Sequence, residues 1–514
     1  MKSPHPLEVG QNLAMRRLGL VRALGLALPL VLSLSVVAAP PASSQPSDMP
    51  EMPVQCRSAY KTATQWKSDT SRVASDRVVR MDGHEVILNR RGWAAEDPRD
   101  PSWTLWFHSL AWLVPLALDD SETAIQVFEE RDRALPDPGR IGDNEGVRAS
   151  GWTQGQFRTR LETATCLFEL TGDERLKPIA VRLAEANMDA DRYPGPPNFR
   201  VHNHGAMSNV ALMQAGKAFD VREWIDFALS RFERDMPEVF EPCGMMFEQA
   251  SGYQLHNVRL YAKAAERLGE TLEQPQRALG ALVRPDGVLE AIGDGQPSLD
   301  AAPNGERLWC ARTGWAAATV DEMHFTLRFG PRMQFHGHRD HGSMTWFTYG
   351  IPVLSDRGHY DKERGDRFEF AHSMAAHSVF EPLGVPQLNP ETTAQRLSDT
   401  SFRLRDTDEG VTRQRTVTFS RARLTVRDEG TGAKEWIQHF QLAPGWKPTN
   451  TGAIHESGAT LTISCPRWKA VKVESFTAWR TAVSAWDLQC RVEAKKGKTA
   501  RAATTLAVNP PVDG

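Results

Sequence analysis

The densest run of chemistry-bearing side chains in this 514-residue chain is His336-Gly337-His338-Arg339-Asp340. It is followed by Gly350-Ile351-Pro352-Val353-Leu354-Ser355-Asp356-Arg357-Gly358-His359-Tyr360 and by Ala376-His377-Ser378. Residues two apart on a strand share a face, so His336 and His338 are expected to reach one pocket. A metal site or an acid/base site is built in that way from closely spaced ligands. A solvated, histidine-rich hairpin is the plain alternative, and Asp356 beside Gly358, with His377 further on, favours chemistry.

Two other clusters lie upstream. Val201-His202-Asn203-His204-Gly205 opens a helical pattern, with Asn203 the expected N-cap. Phe247-Glu248-Gln249-Ala250-Ser251-Gly252-Tyr253-Gln254-Leu255-His256 opens another, in which Tyr253 is either packed core or a functional phenol.

The elements that must position these residues change along the chain. Between about 100 and 285 apolar residues recur at three and four, as in Trp103, Trp106, Phe107, Leu110 and Leu113, which is helical spacing. Helical starts near 103, 151, 203 and 247 lie roughly 45–50 residues apart, the spacing of stacked helical hairpins. After about 295 the period becomes two, in Met323-His-Phe-Thr-Leu-Arg-Phe, Thr416-Val-Thr-Phe, Arg423-Leu-Thr-Val-Arg and Ile437-Gln-His-Phe-Gln-Leu. This predicts an α+β multidomain chain, helical first and an antiparallel β-sandwich second, joined through a Gly/Pro/Asp-rich segment at 286–305 that holds Gly293-Asp294-Gly295. The expected division is residues 1–40 a signal peptide, 41–54 a flexible leader, 55–295 the helical domain and 296–514 the β domain.

Composition sets the outer limits. The length calls for at least two cores. A hydrophobic content of 40% with 24% charge describes a soluble globular chain. The 15 tryptophans suit either a large helical core or carbohydrate stacking. Arg16, Arg17 and Arg22, an apolar run at 23–37 and Ala38-Ala39 form an export signal, which implies a periplasmic or secreted protein with no stable membrane span after cleavage. The formal charge is −3, and residues 1–40 carry +3, so the remainder is near −6 and nucleic acid is not an expected partner. The six cysteines permit disulfides, with Cys465 and Cys490 close enough to pair; Cys166 reads equally well as a buried thiol.

Taken together, these segments resemble the heparinase II/III-like polysaccharide lyases, the family of heparinase II, heparinase III and the oligoalginate lyases. The resemblance rests on His336-Gly-His338-Arg-Asp340, Gly350-x-Pro352-x-Leu354-x-Asp356-x-Gly358-x-Tyr360 and Ala376-His377. Asn203-His204, Glu248-Gln249 with Tyr253, Val426-Arg-Asp428-Glu and Phe440-Gln-Leu-Ala-Pro444-Gly support it. It implies an incomplete (α/α) toroid followed by an antiparallel β-sandwich, acting on a uronic-acid-containing anionic glycan by β-elimination. Asn203 and His204 would neutralise the uronate carboxylate, Tyr253 would be the acid or both acid and base, and His336 the partner base, with His204 serving the other epimer. His338, Asp356 and His377 resemble the ligands of one structural zinc, and no organic cofactor is implied. Arg200, Glu248, Arg339 and Arg364 are the expected substrate contacts, and homodimerisation is left open. The chain departs from the family pattern at Ser378, Gln254, Ala250 and Gly342. A glycoside hydrolase using Glu248 and Asp294, or a non-catalytic glycan-binding protein on the same scaffold, are the competing readings.

Overall fold

The computed structural model of this chain describes residues 49–135, 151–196, 199–494 and 498–511. The expected signal peptide and most of the leader lie outside the described residues. Residues 50–514 form one compact unit.

Helix Pro101–Ser109 starts where the sequence supplies a cap: the Asp100 carboxylate accepts from the Trp103 amide at 3.0 Å, and Pro101 occupies the first turn, where no amide is needed. Its apolar residues join Trp93 and Trp112 in a stacked aromatic core with Trp103 and Phe107. Helices Ser121–Ala134, Gly151–Thr171, Leu176–Met188, Asn203–Ala218, Arg222–Val239, Ser251–Leu268 and Glu273–Gly280 follow. Gly151–Thr171 packs on Pro101–Ser109, Leu176–Met188 and Asn203–Ala218, each close to it in sequence. A short hairpin, Val78–Met81 with His84–Ile87, lies between helix Cys56–Gln65 and helix Pro101–Ser109 and was not expected from the sequence.

Two antiparallel sheets fill the second half among the described residues, one of eight strands and one of nine. The nine-stranded sheet is the middle layer. In strand Trp315–Val320, Trp315 and Ala317 join a core with Met245, Leu255 and Leu282 of the helical half, whereas Ala316 and Ala318 join Phe402, Val417 and Leu506 of the other sheet. Period-two geometry therefore sends alternate residues into two different cores. Strands Met323–Arg328 and Met344–Thr348 are buried at every position, as such a layer requires. The outer sheet shows ordinary alternation, as in Val411–Phe419. The expected sandwich is thus backed on one side by helices.

The site is carried by excursions from this middle sheet. Residues 329–343 leave between the paired strands Met323–Arg328 and Met344–Thr348, and residues 355–379 leave after Ile351–Leu354. Both bear the histidine motifs, and rigid strands hold their ends. The His336–Asp340 stretch is not a strand, contrary to the sequence expectation. It is a turn, with Phe335 at φ +42° and the Gly337 amide donating to the Gln334 carbonyl at 2.8 Å.

All six cysteines pair: Cys56 with Cys166, Cys243 with Cys310, and Cys465 with Cys490. The last agrees with the sequence expectation; the first decides against the free-thiol alternative for Cys166. A polar clasp adds to these links. Arg480, at the tip between Trp468–Ala478 and Thr481–Glu493, donates to Asp361 at 2.8 Å, to Asp100 at 3.2 Å and to Asp82. It joins the middle sheet to the cap of helix Pro101–Ser109. Because the guanidinium keeps some solvent contact, Arg480→Ala is expected to lower unfolding free energy by about 1–3 kcal/mol. Chemical denaturation checks this, and a change below about 0.5 kcal/mol would mean the clasp is not structural.

Candidate functional site

Helix Asn203–Ala218 and helix Ser251–Leu268 both begin at one cavity of about 700 Å³, lined among others by Asn203, His204, Gly252, Tyr253 and Asp294. The N-cap of the first helix is His202, not Asn203: its Nδ1 accepts from the His204 amide at 3.2 Å. Asn203 is the first helical residue, and its amide donates to Glu248 Oε1 at 3.0 Å. Two helix starts aimed at one space give it a positive potential suited to an anion.

Close backbone packing fixes the second helix start. The Ser251 amide donates to the Ile292 carbonyl at 3.0 Å, and the Ile292 amide returns a bond to Ser251 Oγ at 3.1 Å. Gly293 sits at φ +69°, where a Cβ would lie 2.7 Å from the carbonyl oxygens of both Gln249 and His336, so only glycine fits. The next amide, Asp294, donates to the His336 carbonyl at 2.8 Å. Gln249 completes the bracing from the other side: its Oε1 accepts from the Gln334 amide at 2.8 Å and its Nε2 donates to the Pro331 carbonyl at 3.1 Å. Gly337 leaves room for that amide side chain, since a Cβ there would stand 2.2 Å from Gln249 Oε1.

Asp294 is the hub of the site. Its Oδ2 lies 3.0 Å from His336 Nδ1 and pairs with Lys362. Its Oδ1 lies 3.0 Å from His338 Nε2, 3.1 Å from His359 Nδ1 and 3.3 Å from His372 Nε2. Burial alone would raise this carboxyl, but Lys362 and the hydrogen bonds from His336, His338 and His372 outweigh it and hold the group well below the usual carboxylate range. His336 and His338 thus approach opposite oxygens of one ionised carboxylate.

The Tyr253 ring stacks on His336 with centroids 3.4 Å apart and planes within 8°. Burial first, then the nearby carboxylates Asp294 and Glu248, push the phenol well above its ordinary value, so it keeps its proton at neutral pH. Burial lowers His336 to about 4 against the opposing pull of Asp294, so it is neutral there. With its Nδ1 proton assigned to Asp294, Nε2 carries the lone pair. The site holds a proton donor in contact with a neutral base.

Four residues expected to contact substrate do not line the cavity. Arg200 lies over the Phe247 ring at 3.8 Å and pairs with Glu241 at 3.4 Å. Arg364 is exposed over Phe368, and the Arg339 amide donates to the His372 carbonyl at 3.2 Å. Glu248 is fully buried behind Asn203. The cations that do line the cavity are Arg158, Lys263 and Lys362, with Trp66, Trp106 and Trp479 as aromatic surface. No sequence motif marks Arg158 or Lys263; the pairing of Lys362 with Asp294 needs the fold.

The three expected metal ligands do come together. His338, Asp356 and His377 can present ligand atoms within 4.8 Å of one another, and His338 Nδ1 is buried without a hydrogen-bond partner. Neutral imidazole and carboxylate suit zinc, so the residues fit such an ion. His377 Nε2 lies 3.1 Å from the Ala371 carbonyl oxygen, which orients the ring, and Nδ1 lies 2.8 Å from Asp356. Positions that depart from the family pattern serve the scaffold. Gln254 binds the Gly244 carbonyl at 2.8 Å, and Ser378 Oγ accepts from the Gln441 amide at 3.1 Å.

No family model and no curated protein sequence matches the chain. Solved structures do. A crystal structure of heparinase III aligns with a TM-score of 0.67 and 13% identity over 90% of this chain and 86% of that one. A second heparinase III gives 0.60 and 14% over 92% and 87%. Heparan sulfate lyase HepC from Pedobacter heparinus gives 0.57 and 15% over 92% and 86%.

Glu248 supplies a pH test. Burial raises its carboxyl to about 8, opposed by the Asn203 amide, so the folded state holds a proton that the unfolded chain releases near its ordinary value. Its contribution to stability is complete below about pH 4.5 and is lost as pH rises through about 8. Glu248→Gln keeps the acceptor for Asn203 and removes the titration. Thermal unfolding of the variant should show less loss of stability between pH 5 and 9 than the parent; parallel curves would refute the buried neutral carboxyl. Aligned over about nine-tenths of its length, the chain has the fold of heparinase III.

Proposed function

We propose that the chain is an exported polysaccharide lyase that cleaves a uronic-acid-containing glycan by β-elimination. The stacked Tyr253–His336 pair, at the start of two helices and above the ionised Asp294, carries this reading. The named fold neighbours include heparan sulfate lyases, and the disulfides suit an oxidising compartment. No helix among the described residues is long and apolar enough to cross a membrane.

In this reading the uronate carboxylate is bound at the helix start by Asn203 and His204, which withdraws charge and acidifies the C5 proton. His336 Nε2 accepts that proton, with His204 taking the role for the other epimer. Electrons of the C5–H bond form the C4–C5 double bond as the C4–O4 bond breaks. Tyr253, which keeps its proton at neutral pH, gives that proton to O4. Trp66, Trp106 and Trp479 supply stacking faces for sugar rings. A zinc ion held by His338, Asp356 and His377 would add a fixed positive charge that braces the loops around His336.

The chain incubated with alginate, hyaluronan and heparan sulfate should release an ultraviolet-absorbing unsaturated sugar from at least one. Tyr253→Phe should lower that rate by roughly 10²–10⁴-fold with the fold intact. Full activity in Tyr253→Phe would remove the tyrosine from the mechanism. Cleavage without absorbance would favour hydrolysis, though Glu248 lies buried away from the cavity, and binding without cleavage would favour a carbohydrate-binding role.

A further inference from the structure

Four residues from three separate segments converge at Asp294 Oδ1. Asp294, His338, His359 and His372 can each present one ligand atom within 4.8 Å of all the others. The three nitrogens stand 3.0, 3.1 and 3.3 Å from Oδ1. Ligand atoms around a tetrahedral zinc, at bond lengths of about 2.0–2.1 Å, are about 3.3 Å apart.

The hydrogen bonding here is incomplete in a way that points to a cation. His359 is 2% exposed, yet neither of its ring nitrogens has a hydrogen-bond partner. His372 Nδ1 lies 2.8 Å from the Phe368 carbonyl oxygen, so Nε2 is the ring atom turned toward Asp294 Oδ1. A ligating histidine whose other nitrogen donates to a backbone carbonyl is the usual outer arrangement of a metal site.

We propose that Asp294 Oδ1, His338 Nε2, His359 and His372 Nε2 form a second metal position, for a divalent transition ion of zinc type, at the floor of the cavity. It is distinct from the His338–Asp356–His377 position and uses the opposite nitrogen of His338. Asp294 and His359 line the cavity, which provides the entry path. Four protein ligands close the shell, so the ion is a positioning device. It fixes one oxygen of Asp294 while the other holds His336 and Lys362. The proposal stands whether or not the chain is a lyase.

Crystals of the full chain equilibrated with zinc chloride and measured above and below the zinc edge test it without any variant. An anomalous peak between Asp294, His338, His359 and His372 is expected. Density only among His338, Asp356 and His377, or none near His338, would overturn it; the former would leave the structural brace standing. In solution, His359→Ala and His372→Ala should each weaken zinc binding at least about 10-fold by equilibrium dialysis with metal analysis, while Asp356→Asn retains one tightly held ion. Loss of that ion in Asp356→Asn, with retention in both histidine variants, would also overturn it.

Discussion

One buried carboxylate organises this molecule's cavity. Asp294 is almost completely enclosed, and an ionised group in that position is costly unless its oxygens are paired. Lys362 and His336 meet one oxygen, and three histidines crowd the other. Because the cost of an unpaired charge is large, the five partners cannot drift independently. That constraint sets the ring of His336, and through stacking it sets Tyr253.

The rest of the fold makes such convergence affordable in steric terms. Asp294 comes from the irregular segment after helix Glu273–Gly280, His336 and His338 from one excursion of the middle sheet, and His359, Lys362 and His372 from the next. That sheet is buried on both faces, against helices on one side and a second sheet on the other. Its strand ends are therefore stiff. Gly293 then lets backbones meet where a Cβ would collide, and Gly337 leaves room for the Gln249 side chain that stitches the turn to the helical half.

The sequence was most legible where a period or a motif is local. The switch from helical to alternating spacing placed the two halves in the right order, and Cys465 with Cys490 pair as expected. His338, Asp356 and His377 meet, as do Tyr253 and His336. The expectation of a strand through His336 failed because period two is assumed, not tested, by a His-x-His pair; a turn at Phe335-His336 breaks the period, and the two rings meet opposite oxygens of Asp294. Arg200, Arg339 and Arg364 were named for charge alone, and charge does not reveal which way a side chain faces. Asp294, Lys362, His359 and His372 were hard to weigh because their importance comes from contacts across 44, 68, 65 and 78 residues of sequence, measured from Asp294 to His338, Lys362, His359 and His372 in the order of their pairing. Gly293-Asp294-Gly295 was the one local sign, an acidic residue between two glycines.

The central claim is that Asp294 pins His336 as a neutral ring protonated on Nδ1, leaving Nε2 as the base. The most direct measurement is nitrogen NMR of the chain labelled with ¹⁵N-histidine between pH 5 and 8, with the His336 signals assigned by their loss in His336→Gln. The expected result is a pair of His336 resonances of the Nδ1–H tautomer that do not move across this range, in keeping with a value lowered to about 4. A His336 ring that titrates near its ordinary value of about 6.5, or that carries its proton on Nε2, would contradict the claim.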